Sequence, residues 1–78
     1  MRNSKLYVGN LSYSATDQEL FDLFSHYGEV KSARVIGRRG FGFVEMSNSE
    51  EAQEVLKALN GKEFLGRTLR IEEARETR

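Results

Sequence analysis

The 78-residue chain contains no cysteine and only one histidine, His26. Disulfides and thiolate metal sites are therefore excluded, and a single histidine among carboxylates at no recognisable ligand spacing does not make a zinc site. No apolar run approaches the roughly 18 residues of a membrane-spanning helix. The start, Met1-Arg2-Asn3-Ser4, leads into an alternating segment without the apolar stretch of a signal peptide. These absences predict a soluble, cytoplasmic protein with no cofactor, no metal and no membrane partner. The length suits one domain with a small core, so apolar packing has to supply the stability.

Net charge is missing as well: 12 Lys and Arg balance 12 Asp and Glu. Taken alone, neutrality speaks against a nucleic-acid partner, since such domains tend to be basic. The charges are sorted along the chain, however. Residues 15–30 hold Asp17, Glu19, Asp22 and Glu29 and no Lys or Arg, whereas residues 31–41 hold Lys31, Arg34, Arg38 and Arg39 and no acid. Glu50, Glu51 and Glu54 against Lys57 continue the acidic trend in a second helical segment. One side of the fold is expected to be acidic and the other comparatively basic, although acidic residues also favour helix N-termini for dipole reasons.

Periodicity sets the element order. Lys5 to Asn10 alternates as a strand. Thr16-Asp17-Gln18-Glu19 is a capping box opening a helix whose apolar face is Leu20, Phe21, Leu23 and Phe24, with Gly28 as its stop. Val30 to Ile36 is a second strand, with Val30, Ala33 and Val35 inward, Ser32, Arg34 and Ile36 outward, and an irregularity near Lys31. Gly37-Arg38-Arg39 makes a tight hairpin into a third strand, Gly40 to Met46. Residues 47–51 offer several N-caps for a second helix, whose stripe is Ala52, Val55, Leu56 and Leu59 and which ends at Asn60-Gly61. A turn or minor hairpin through Phe64 to Gly66 precedes a fourth strand, Arg67 to Glu73. Strand, helix, strand, strand, helix, strand predicts an α+β, ferredoxin-like βαββαβ sandwich: a four-stranded antiparallel sheet with two helices on one face. Right-handed crossovers place the first and third strands at its centre.

The unusual residues are the aromatics of those two strands. In Arg39-Gly40-Phe41-Gly42-Phe43-Val44, period two sends Phe41 and Phe43 to one face and Val44 and Met46 to the other. Burial in the core is the commoner fate of phenylalanine. A second strand makes the same exception, because Leu6-Tyr7-Val8-Gly9-Asn10-Leu11 sets Tyr7 against Leu6 and Val8. Rings displayed side by side make a platform on which nucleobases can stack, and Gly40 and Gly42 are expected to leave it unobstructed.

The hexamer at 6–11 and the octamer at 39–46 resemble the two ribonucleoprotein motifs of the RNA recognition motif family. Seven of the eight octamer positions match; the exception is Met46, which faces the core and fills space as an aromatic would. The resemblance covers residues 4–75, with 76–78 left as a short tail, and is similar to stand-alone bacterial members; a segment of a longer eukaryotic protein would place the domain in the nucleus.

The resemblance implies single-stranded RNA binding, with Tyr7 and Phe43 each stacked on one of two consecutive bases and Phe41 against the sugars between them. Arg39 would reach a phosphate. Lys5, Arg34 and Arg70 occupy outward strand positions beside the platform and add phosphate or base-edge contacts, or serve as solvated strand charges. Asn10 bonds a base edge or, preferably, its own turn. Arg75 follows the fourth strand where family members read a base. Glu45 and Glu72 share the sheet face and restrict where a phosphate backbone can pass. Many relatives carry a longer basic loop between the second and third strands; here only Arg38 and Arg39 stand in for it. With stacking at ~1–3 kcal/mol per base, a monomer with a dissociation constant on the order of micromolar or weaker, sites of roughly two to four nucleotides and modest base preference follows. Single-stranded DNA is a weaker competitor.

A rival reading is a protein-interaction module working through the acidic helical face. Enzymatic readings fare worse. Metal carriage on this topology wants Cys-x-x-Cys, acyl-phosphate hydrolysis wants an Arg- or Gly-rich loop where Ser12-Tyr13-Ser14-Ala15 stands, and His26 lacks an acid or base partner. Phe64 is expected to serve packing.

Overall fold

The computed structural model describes residues 4–74, so Arg75 and the tail at 76–78 lie outside the described residues. Alternation builds β1 (Lys5–Gly9), in which Leu6 and Val8 are buried and Tyr7 is half-buried. The strand ends one residue earlier than its pattern suggests, because Asn10 turns into the left-handed region at φ 61°. The capping box is formed: Thr16 Oγ1 accepts from the Glu19 amide at 3.1 Å and Glu19 Oε1 from the Thr16 amide at 3.1 Å. It starts α1 (Asp17–Ser25).

Two expectations for α1 are corrected. Leu20 and Phe24 are buried and Leu23 packs partly against them, but Phe21 is 36% exposed. It lies about 100° of rotation from Leu20 and about 60° beyond Phe24, outside the edge of the stripe at 20, 23 and 24. Gly28 is not a left-handed helix stop either; the helix is capped at His26, with φ −70°, and Gly28 is absent from the positive-φ glycines at 40, 61 and 66. Its small size is what counts, since a Cβ there would sit 2.8 Å from Glu51 Oε1 and 3.0 Å from Met46 Cε.

β2 (Val30–Ile36) pairs antiparallel with β3 (Phe41–Met46), with a register shift between Val30 and Ser32 that accommodates Lys31 as a bulge. β2 is an edge strand, and the Asp17 carboxylate accepts from its Val35 amide at 2.7 Å, blunting that edge. The connection is one turn of 3-10 helix, Gly37–Arg39, followed by Gly40 at φ 74°, a conformation that favours glycine. Gly42 has a different reason from the one its motif suggests. It faces the core side with Val44, and a Cβ on it would come within 2.4 Å of the Arg34 carbonyl oxygen. It permits close approach of β2 rather than clearing space for the rings.

Asn48 caps α2 (Ser49–Leu59), its Oδ1 accepting from the Glu51 amide at 2.8 Å. Ala52, Val55 and Leu59 are buried and Leu56 partly so. Glu63–Phe64 (β4) and Arg67–Thr68 (β5) form a small hairpin whose two turn residues, Leu65 and Gly66, are both left-handed at φ 53° and 82°, as a type I′ turn requires. The expected strand at 67–73 is thereby split. Buried Leu69 exchanges backbone bonds with Gly61 and Lys62, and only β6 (Arg70–Glu73) joins the main sheet.

The main sheet runs β2-β3-β1-β6, antiparallel throughout. Leu20 and Phe24 of α1 and Ala52, Val55 and Leu59 of α2 cluster with Leu6, Val8, Val44, Met46, Leu69 and Ile71. Both helices therefore cover one face, the arrangement of a ferredoxin-like α+β sandwich. Phe64 packs against this cluster, as expected.

Candidate nucleic-acid interface

The opposite face of the sheet is built by register. Tyr7 lies directly across from Phe43 on one side and Glu72 on the other, Arg34 across from Phe43, Ile36 across from Phe41, Lys5 across from Glu45, and Arg70 across from Gly9. Side chains of directly opposed residues share a face, so the rings sit in the two central columns together with the Lys5–Glu45 pair, while Arg34 lies in one outer column and Arg70 and Glu72 in the other.

Tyr7, Phe41 and Phe43 are half-buried and touch one another. Their centroids are 5.6 Å (Tyr7–Phe41), 5.9 Å (Tyr7–Phe43) and 5.8 Å (Phe41–Phe43) apart, with interplanar angles of 37°, 62° and 79°. These are tilted and edge-on contacts, favoured by the ring quadrupoles. Three mutually inclined rings leave parts of their faces toward solvent instead of stacking on one another. Gly9 makes room for this: a Cβ there would meet Tyr7 Cε2 at 3.0 Å and the hydroxyl at 3.1 Å. Lys5 Nζ stands over the Phe43 ring, 5.4 Å from its centroid, within cation–π range.

Arg34 and Arg70 are exposed, on β2 and β6 at the two flanks of the platform, while Arg38 and Arg39 are exposed in the 3-10 turn at the start of β3. Glu45 is half-buried and Glu72 exposed on the same face. All sequence-predicted residues within the described chain, apart from Asn10, thus flank or form one surface.

Asn10 does not close its own turn, the preferred of its two readings. Its Nδ2 donates to the Thr68 carbonyl at 2.6 Å, its Oδ1 accepts from Arg67 Nη2 at 2.8 Å, and its carbonyl accepts from Arg67 Nε at 3.4 Å. The amide therefore ties the end of β1 to the β4–β5 hairpin instead of closing its own turn. Arg67, 57 residues away, carried no sequence signal for this role. Tyr13 was also not marked by the pattern; it is 77% exposed in the β1–α1 loop and lies against Gly40.

On the helical side, Glu19, Asp22, Leu23, His26, Tyr27 and Phe64 line an open groove of about 390 Å³. Among the described residues no group of three or more His, Cys, Asp or Glu is placed to hold a metal, and no helix is long and apolar enough to cross a membrane.

Comparison with known proteins gives one consistent answer. The family model described as RNA recognition motif matches residues 6–70. The chain is 47% identical over 76 residues to the putative RNA-binding protein RbpE of Nostoc sp., covering 90% of this chain and 77% of that protein. It is 47% identical to the 29 kDa chloroplastic ribonucleoprotein of Arabidopsis thaliana, where 91% of this chain corresponds to only 22% of the relative's length. In three dimensions it superposes on the crystal structure of RNA binding protein PG1 with a TM-score of 0.87 at 44% identity, covering 96% of this chain and 98% of that one.

Proposed function

Because the chain belongs to the RNA recognition motif family, we propose that it binds single-stranded RNA across the uncovered face of its sheet, with Tyr7 and Phe43 stacking on two consecutive bases and Phe41 against the sugars between them. The observation that carries this reading is the contiguity of the three rings, each within 6 Å of the other two by centroid and on the face opposite both helices. Relatives of similar span named as RNA-binding proteins support it.

Arg34 and Arg70 at the flanks and Arg39 at the start of β3 take phosphates, contacts that position the strand without reading it. Arg38 adds to the same basic end. Lys5 slides from the Phe43 ring as a base arrives and offers its charge to the backbone. Asn10 acts as a positioning residue through Arg67 and Thr68. Glu45 and Glu72 keep phosphates out of the centre of the platform and accept from exocyclic amines. Arg75, following β6, reads a further base. Residues 4–75 act as one monomeric binding domain with 76–78 as a tail, in the cytoplasm, without catalysis.

Two stacked bases at ~1–3 kcal/mol each and a few phosphate contacts, less the ordering cost of association, give an affinity on the order of micromolar or weaker for roughly two to four nucleotides. Single-stranded DNA competes more weakly because it lacks the 2′-hydroxyl contacts. An amide NMR titration with a short degenerate RNA tests this. Shifts should cluster on β1 and β3 and weaken with salt; a silent sheet at millimolar RNA in a folded protein would overturn it.

The groove at α1 favours a second, compatible reading: a lining that combines Leu23, Tyr27 and Phe64 with the carboxylates of Glu19 and Asp22 suits a basic peptide carrying one bulky apolar side chain. Acetyl-Lys-Trp-Lys-amide should shift residues 19–27 and 63–65 while the Glu-Trp-Glu counterpart does not; equal effects from both would refute it.

A further inference from the structure

The β1–α1 loop holds the most exposed aromatic among the described residues, Tyr13, at 77%. A ring this exposed contributes little to the core, and the loop around it is well fastened. Leu11 and Ala15 on either side are buried. The Leu11 amide donates to the Gly40 carbonyl at 2.8 Å, the Ala15 amide to the Ser12 carbonyl at 3.0 Å, and the Ser14 amide to Ser12 Oγ at 3.2 Å, with the Ser12 and Ser14 hydroxyls 2.9 Å apart. The chain is thus pinned before and after an outward aromatic, so presenting the ring requires little further ordering of the backbone.

Its location gives the ring a use. A Cβ built on Gly40 would meet Tyr13 Cε1 at 3.4 Å and Cδ1 at 3.9 Å, so the ring lies against Gly40. Gly40 is bonded directly to Phe41 of the aromatic trio on one side and to Arg39 on the other, and Arg38 and Arg39 are exposed in the adjoining turn. The nearby Asp17 carboxylate is engaged by the Val35 amide. The Tyr13 ring, the turn that carries Arg38 and Arg39, and the Phe41 end of the platform are therefore neighbours at one corner.

We infer that Tyr13, with Arg38 and Arg39, forms a further nucleotide subsite beyond Phe41, in which the tyrosine ring stacks on a base and the arginines receive the adjoining phosphate. This rests on the sheet being the RNA-binding face. It makes the β1–α1 loop and the short β2–β3 connection two sides of one contact, so that the loop between β2 and β3 need not be long to hold RNA at this end. The ligand is a single-stranded oligonucleotide one step longer than the central pair of stacked bases requires.

The test compares wild type, Tyr13→Ala, Tyr13→Phe and Phe43→Ala with degenerate single-stranded RNAs of two, four and six nucleotides, each variant first checked for a native amide spectrum. Tyr13→Ala should weaken binding of the four- and six-nucleotide RNAs about tenfold, the scale of one lost stacking contact, and leave the dinucleotide unchanged. Tyr13→Phe should match wild type at every length, because the ring and not the hydroxyl makes the contact. Phe43→Ala should weaken all three lengths. If Tyr13→Ala binds every length as wild type does while Phe43→Ala fails, the ring only shields Gly40 and the inference falls alone. A Tyr13→Ala loss equal at every length would likewise overturn it, by pointing to a disturbed loop. If Phe43→Ala binds normally, the sheet reading itself is wrong.

Discussion

Replacing Phe43 separates the two forces proposed to hold RNA, because stacking is nearly indifferent to salt and phosphate contact is not. Loss of one base–aromatic contact, ~1–3 kcal/mol, corresponds to roughly 5- to 150-fold in dissociation constant. The position of Lys5 moves the expected value toward the lower part of that range. Its ammonium group 5.4 Å over the Phe43 centroid has to leave when a base stacks, giving up about 0.5–1 kcal/mol at an exposed site, and Phe43→Ala removes that obstacle along with the platform. A loss of about tenfold is expected. Phosphate contacts set the salt dependence instead. If Lys5, Arg34, Arg39 and Arg70 each meet one phosphate, the slope of log K against log salt is about −2.8, since each contact on a single strand contributes about −0.7. Between 50 and 200 mM salt the wild type should then weaken on the order of 50-fold. Phe43→Ala should lower affinity at every salt concentration with the slope retained, whereas Arg39→Gln should make the slope shallower by about 0.7. Phe43→Leu keeps most of the apolar volume and removes the flat π face, so it should bind like Phe43→Ala. Phe43 also makes two ring contacts, to Tyr7 and Phe41, each worth about 0.5–1.5 kcal/mol, so titrations belong well below the lowered melting temperature of the variants. Fluorescence anisotropy with labelled hexanucleotides at four salt concentrations supplies both quantities. Binding of Phe43→Leu within twofold of wild type, or a slope that flattens with Phe43→Ala, would refute the reasoning.

Asn10→Ala removes the two side-chain bonds, to the Thr68 carbonyl and from Arg67 Nη2, and places a Cβ-bearing residue without a polar side chain at φ 61°; we expect a loss of about 1–3 kcal/mol by urea denaturation. Asn10→Gly should lose less, since it relieves the backbone while still freeing the hairpin, and equal stability of both variants with wild type would disprove the tether. Gly28→Ala should cost about 1 kcal/mol, because the groups met by the new methyl, Glu51 Oε1 and Met46 Cε, are ends of flexible side chains. The same change should speed hydrogen exchange at the Glu29 amide, which donates to the Glu51 carboxylate; unchanged exchange would show that the carboxylate did not move.

Local chemistry was legible where the partners are close in the chain. Thr16 and Glu19 form their capping box from residues three apart, and the irregularity at Lys31 is present as a bulge. The type and order of the main elements follow from apolar spacing. Errors arose where a residue's reason lay elsewhere in the fold. Gly28 has the composition of a helix stop but is small because Met46 and Glu51 crowd it, and Phe21 looks like part of an apolar face until the helix is docked and one side of it is left to solvent. Arg67 to Thr68 continues an apparent strand, yet buried Leu69 turns its backbone toward Gly61 and Lys62 and breaks the pairing.

For the candidate interface, period-two geometry places Phe41 and Phe43 on one face and Tyr7 opposite its apolar neighbours, because side-chain direction in a strand depends on nothing beyond the backbone. That much, with the motif pattern, belongs to the chain as written. Adjacency does not. Tyr7 meets Phe43 because β1 and β3 pair at the centre of the sheet, Asn10 meets Arg67 across 57 residues, and Tyr13 lies against Gly40 because two loops close at one end of the sheet. Local pattern specifies which way a side chain points, while its neighbours depend on long-range pairing and close packing, which no spacing along the chain encodes.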